Sequence, residues 1–265
     1  MLEKRNKQPT EIHFKKFGVG SRTLVLLHYF GGNADSWQWV VKRIKDEFTI
    51  YVITLPGFGN TPPLKDSSIY DYAAYINQCI ETLKLKNFML CGHSMSGKLI
   101  LYADQITNGV KAKALVLIAP SPPTVERMTK LERARRLPRP MPETAEITID
   151  KSTVKALMGK RRKTAIDSQL ETHGESWRWW LTTGMNNNIS DRIKGISTPT
   201  FVICAKEDPI IPMNDIYNEV LPYLYKPKLI QLGGCGHLIP MEAPRRLSKR
   251  IRKIANNVLS EQAVK

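Results

Sequence analysis

Short, uninterrupted apolar runs alternate along the chain with longer stretches whose apolar residues recur every three or four positions. Runs of the first kind suit strands buried on both faces of a sheet, and stretches of the second kind suit helices laid against it. The alternation therefore predicts an α/β fold with a mostly parallel central sheet flanked by helices. Residues 12–17 read as a strand, closed by a turn around Gly18 and Gly20. The run TLVLL at 23–27 reads as a strand buried on both sides, and 37–44 as a short helix packed on it. A strand over 49–54 ends in the turn Pro56-Gly57-Phe58-Gly59. Then come a helix over 69–83, a strand over 88–91, a helix over 95–105 and a strand over 114–119.

The pattern changes after Pro120. Residues 121–190 contain no run that reads as a strand. They carry Pro122, Pro123, Pro138, Pro140 and Pro142, two basic segments (127–139 and 151–163) that read as helical, and the cluster Trp177, Trp179 and Trp180. Strand character returns at 200–205 and 228–232, and a last helix covers 244–259. The division expected is a core of residues 1–120 and 191–265 interrupted by a helical cap of residues 121–190.

A chain of 265 residues can bury enough surface to fold without disulfide or metal staples. Cys79, Cys91 and Cys204 lie inside apolar segments, Cys235 lies between glycines, and no CxxC pair occurs. That usage suits buried thiols in a reducing compartment. Cys235 stands apart only because it is two residues from His237. Residues 1–7 are charged, no signal-type apolar core follows them, and no stretch could span a bilayer, so the expectation is a cytoplasmic protein. The net charge of +16 raises the question of nucleic acid. Its basic residues are spread over 127–139, 151–163 and 245–253, with acidic residues mixed into the first and no base-reading module or interleaved aromatics. Solvated faces are the expected reading, nucleic acid is not an expected partner, and an anionic substrate or partner is compatible with the charge.

Four segments carry candidate chemistry. Gly92-His93-Ser94-Met95-Ser96-Gly97 follows a predicted strand and opens a predicted helix, which is the setting of a nucleophile elbow. A serine on such a sharp turn needs small neighbours two residues before and after, and Gly92 and Ser96 meet that need. The segment alone also fits an ordinary turn with a serine cap. His28-Tyr29-Phe30-Gly31-Gly32 follows the strand at 23–27 and would serve equally as a plain glycine-rich turn. Lys206-Glu207-Asp208-Pro209 follows the strand at 200–205, where a carboxylate could orient a histidine or simply shape the turn. Gly233-Gly234-Cys235-Gly236-His237 follows the last strand, with glycines that let the loop bend back toward the elbow. His13, His28, His93 and His173 read as structural.

With these segments in the order serine, aspartate, histidine, each at a strand end, the sequence resembles the α/β-hydrolase superfamily over nearly its whole length. The pentapeptide Pro240-Met241-Glu242-Ala243-Pro244 adds to the likeness. Tyr29, where a glycine is usual, and Ser96, in place of the second elbow glycine, depart from it. The resemblance implies a Ser94–His237–Asp208 triad, with Asp208 preferred over Glu207, and an oxyanion hole from the N–H groups of Phe30 and Met95. It implies a serine hydrolase, an esterase-like enzyme that cleaves carboxylic esters through an acyl-enzyme, with a small acyl substrate and neither metal nor other cofactor. Tyr29, Trp177 and Trp180 are the candidate substrate contacts. Other chemistries on the same fold stay open: carbon–carbon hydrolysis, a lyase step, cofactor-free peroxidation, or ligand binding without turnover.

Overall fold

The structure is a computed structural model that describes residues 10–65 and 67–259; the charged run at 1–7 lies outside them. In chain order the core elements are β1 (His13–Phe17), β2 (Arg22–Leu27), α1 (Gln38–Ile44), β3 (Phe48–Thr54), α2 (Ile69–Thr82), β4 (Phe88–His93), α3 (Met95–Ile106) and β5 (Ala114–Ile118). Four helices come next, α4 (Lys130–Arg136), α5 (Pro142–Ser152), α6 (Gly159–Leu170) and α7 (Gly174–Trp179). The chain then returns to the sheet with β6 (Thr200–Ala205), passes α8 (Met213–Asp215), and finishes with β7 (Lys228–Leu232), α9 (Ile239–Glu242) and α10 (Pro244–Val258).

Among the described residues the strands form one seven-stranded sheet in the order β1-β3-β2-β4-β5-β6-β7. Only the edge strand β1 is antiparallel to its neighbour. The four apolar residues Leu24 to Leu27 and every residue of β4, β5 and β6 are buried. Their unbroken apolar character follows from being covered on both faces. One apolar layer packs α2 and α3 on one face, through Tyr72, Ile76, Leu99 and Ile100. The other packs α1 and α10 on the opposite face, through Trp37, Val40, Leu247 and Ile251.

The order of strands fixes where a site can form. β2 sends the chain to β3 on one side, while β4, its other neighbour, sends it to β5 on the opposite side. At such a switch point the two departing loops splay apart and leave a crevice beyond the carboxyl ends of the strands. The register places Leu27 opposite Gly92, so the loops beginning at His28 and Ser94 emerge side by side there. Ala205 pairs with Leu232, which brings the loops carrying Asp208 and His237 out together a few strands away.

The expected helix over 151–163 is not one helix. α5 ends at Ser152, Thr153 is extended, and α6 starts only at Gly159, whose φ is +53°. Charge patterning marked the segment as polar but gave no sign of this break. The helical turns between Met213 and Tyr223 and the short α9 add elements beyond those the periodicity predicted. All four cysteines are buried thiols, and burial pushes Cys235 up to about 11, so it is no nucleophile beside His237. Part of the positive charge lines a surface groove of Lys42, Arg43, Arg245 and Arg252 beside α1 and α10. Among the described residues no helix is long and apolar enough to cross a membrane.

Candidate active site

Ser94 occupies the turn between β4 and α3 with φ 54° and ψ −117°. A side-chain-bearing residue adopts such a conformation only when its surroundings hold it. Here its N–H donates to the Ile118 carbonyl (2.8 Å), and its own carbonyl accepts from Gly97 (2.8 Å) and Ser121 (3.0 Å). The turn is tight enough that a Cβ on Gly92 would lie 2.4 Å from the Ser96 carbonyl oxygen. Glycine is therefore required at that position. α3 begins at the next residue, which sets the Ser94 hydroxyl at a helix N-terminus, where negative charge is favoured.

The hydroxyl meets a histidine. Ser94 Oγ lies 2.8 Å from His237 Nε2, and His237 Nδ1 lies 2.9 Å from Asp208 Oδ2. An ionised carboxylate only accepts, so Nδ1 carries the proton and Nε2 is free to accept from the serine. All three residues are buried. Burial disfavours the imidazolium, but the charge and hydrogen bond of Asp208 outweigh it and raise the pKa of His237 above its ordinary 6.5. The other oxygen, Asp208 Oδ1, accepts from the N–H groups of Ile210 (2.8 Å) and Ile211 (2.9 Å), which fixes the carboxylate. Glu207, the neighbouring acid, instead accepts from the Gly234 N–H at 2.8 Å and pins the histidine loop.

The loop after β2 lies against the elbow. Ser96 donates its hydroxyl to the His28 carbonyl, and Gly32 N–H closes the loop on the Tyr29 carbonyl at 2.9 Å. The His28 ring is built in: Nδ1–H donates to the Tyr29 carbonyl (2.8 Å), and Nε2 accepts from Leu55 (3.0 Å). Burial lowers its pKa to about 4, so it stays neutral. His93 donates from Nε2 to the carbonyl of His237 at 2.8 Å. Both histidines are structural, as the sequence suggested.

Residues 24–250 match the profile of the alpha/beta hydrolase family. The chain belongs to that family. Among curated alpha/beta-hydrolase relatives, it is 26% identical to a monoacylglycerol lipase of Mus musculus, the alignment covering 86% of this chain and 74% of that one. It is also 26% identical to a pimeloyl-[acyl-carrier protein] methyl ester esterase of Legionella pneumophila, over 76% and 81% of the two chains. Its fold superposes on an esterase from Exiguobacterium antarcticum with a TM-score of 0.83 at 16% identity, covering 92% of this chain and 95% of that one.

In this alpha/beta hydrolase, Ser94 and His237 line a pocket together with residues from the helical segment between β5 and β6. Phe30, Trp177, Trp180 and Leu181 line one flank; Tyr29, Ile149 and Leu238 line the other. Phe30 packs on Trp177 with ring centroids 4.3 Å apart. Trp179 points elsewhere and stacks on Tyr72 at 4.2 Å. Sequence spacing showed that the three tryptophans could not share one side, but not which would face inward. One basic residue of the insert departs from the expected solvated faces: Arg136 lines the pocket. Lys98, in α3, is fully buried behind it.

The insert is also tied to the histidine loop. His237 N–H donates to the Ser152 carbonyl at 2.9 Å. The Glu242 carboxylate accepts from Gly236 (2.9 Å), Val154 (3.0 Å) and Lys155 (3.3 Å). Glu242 was visible in sequence only as part of Pro240-Met241-Glu242-Ala243-Pro244; two of its partners, Val154 and Lys155, lie more than eighty positions away. Among the described residues no cluster of His, Cys, Asp and Glu could hold a metal ion.

Proposed function

We propose that this alpha/beta hydrolase is a carboxylic-ester hydrolase working through an acyl-enzyme on Ser94. The observation that carries the reading is the unbroken row of hydrogen bonds from Ser94 through His237 to Asp208. His237 Nε2 takes the hydroxyl proton as Ser94 Oγ attacks the ester carbonyl. Asp208 keeps the other ring nitrogen protonated and stabilises the imidazolium that forms. The N–H groups of Met95 and Phe30 receive the oxyanion, one from the start of α3 and the other from the loop stitched to it by Ser96. The imidazolium then gives its proton to the departing alkoxide. Water, deprotonated by the same nitrogen, attacks the acyl-enzyme and releases the acid and free Ser94.

Residues 121–190 act as the cap over this site, and Tyr29, Trp177 and Trp180 are the substrate contacts, supported by their place in the pocket lining. The names of the two relatives, a monoacylglycerol lipase and a methyl ester esterase, support an ester as substrate. A fluorophosphonate probe followed by a panel of chromogenic esters tests the reading. Labelling at Ser94 together with ester turnover is expected; a probe that leaves Ser94 unmodified while the protein is folded would overturn it.

A further inference from the structure

The two flanks of the pocket differ in charge. Beside Tyr29 and Leu238 stand Thr148, Ser152 and the His237 ring, with the neutral Gln169 reaching across to Trp177. Beside the tryptophans stand two ionisable groups, Glu126 and Arg136. Both are tied to that side. Trp177 Nε1 donates to the Arg136 carbonyl at 2.7 Å, and Glu126 N–H donates to Met185, whose own N–H donates to Trp180.

The charges on this wall do not cancel. The Glu126 carboxylate already accepts from the Ser121 hydroxyl and faces the positive charge of Lys98. The Lys98 ammonium is held behind the pocket by the carbonyls of Thr124 (2.9 Å) and Met185 (3.4 Å). Burial pulls it down to about 8, with Glu126 opposing, so it remains mostly cationic at neutral pH. Arg136 has no carboxylate within ion-pairing distance among the described residues. The acids that act on it are Glu126 and Glu132, and the Glu132 carboxylate is occupied at the cap of α4, accepting from Thr129 Oγ1 at 2.8 Å. A guanidinium does not shed its proton, so partial burial leaves a cation in need of an anion. Burial pushes the Glu126 carboxyl up, against the pull of Ser121 and Lys98, so at most one negative group faces two positive ones and the surplus sits at Arg136.

We infer that Arg136 is an anion-binding group of the pocket, and that the substrate is an ester bearing a free carboxylate on the part that lies against Trp177 and Trp180. The inference rests on the ester-hydrolase reading for the reaction, and on Arg136 alone for the charge. A carboxylate can meet the planar fork with two parallel hydrogen bonds.

The test compares kcat/KM for matched pairs of esters. Monomethyl glutarate against methyl pentanoate places the carboxylate in the acyl part; acetoxyacetic acid against ethyl acetate places it in the alcohol part. In the wild-type protein at least one pair should favour the anion by roughly 10- to 100-fold, the worth of a charge-assisted hydrogen bond. In Arg136→Gln that ratio should collapse toward one, and Arg136→Lys should recover part of it. α4 has no buried residue, so neither variant removes core packing. Wild-type protein that is labelled at Ser94 and turns over neutral and anionic esters alike would overturn the assignment while leaving the hydrolase reading intact.

Thermal melting with glutarate, which needs no turnover, judges Arg136 even if no ester is cleaved. A rise in Tm in wild type but not in Arg136→Gln supports the inference; no rise in either overturns it. Inorganic phosphate stabilising as strongly as glutarate would overturn the choice of a carboxylate.

Discussion

Ser96 donates its hydroxyl to the carbonyl of His28, joining the first turn of α3 to the loop after β2. The contact spans the two segments proposed to supply the oxyanion donors, so it sets their spacing. Removing it strands a carbonyl on a residue that is wholly buried, at a cost of about 1–3 kcal/mol. Ser96→Ala should therefore lower Tm by roughly 2–10 °C and reduce kcat while Ser94 still reacts with a fluorophosphonate. Calorimetry and ester kinetics together check this; an unchanged Tm and rate would show the contact to be idle.

Ser94→Ala removes the proposed nucleophile without disturbing a packed group. Its kcat should fall by roughly 10⁴-fold or more, as in other serine enzymes whose parts act as a unit. Steady-state kinetics with a chromogenic ester suffice. Near-normal turnover would remove Ser94 from the reaction.

The pH profile follows from His237. Attack requires the neutral ring, and Asp208 together with its hydrogen bond raises the ring's pKa above 6.5 against the opposing effect of burial. Activity should consequently fall as pH drops through a midpoint above 6.5, measured as kcat/KM. Asp208→Asn takes away the charge and leaves the burial, which favours the neutral ring. The acid limb should then move to lower pH while kcat drops roughly 10⁴-fold, because the ring no longer keeps the right tautomer. A limb that stays in place would mean that Asp208 does not set the titration.

Gly236 leaves no room for a side chain. A Cβ there would stand 2.9 Å from both the Ser152 carbonyl oxygen and the Val154 nitrogen. Gly236→Ala should destabilise the fold by about 1–3 kcal/mol, seen as a lower urea midpoint. It should also slow ester turnover by displacing the adjacent His237. A variant as stable and active as wild type would refute the tightness of this seam.

Most strands could be read in the sequence because double burial makes them uninterrupted: 200–205 coincides with β6. The edge strand β7 also falls at the expected 228–232, though only its Leu232 is buried. β4 runs two residues beyond its apolar stretch, since Gly92 and His93 go on pairing with β5. Ser94, Asp208 and His237 could be named through the resemblance their segments carry, each at the end of a predicted strand, and strand ends of a parallel sheet share one edge. Whether their atoms meet depends on the register across the sheet, which periodicity does not encode. The break rests on the extended conformation of Thr153 and the positive φ of Gly159, which the hydrophobic and charge pattern of the segment does not encode. Arg136 was hidden for a similar reason. In sequence it is one cation among several, and only the insert's packing separates it from its neighbours.

The bond from His237 to Ser152 has a consequence for how molecules reach the pocket. Moving residues 152–155 would drag the His237 imidazole, proposed to accept the proton, out of line, so that corner would stay fixed while the site works. Traffic would then pass α4, which carries no buried residue and is held by the bonds from Trp177 to the Arg136 carbonyl and from Arg133 to Asn186. The doorway would then have the unpaired guanidinium on its sill, screening each arrival by charge before it reaches the hydroxyl.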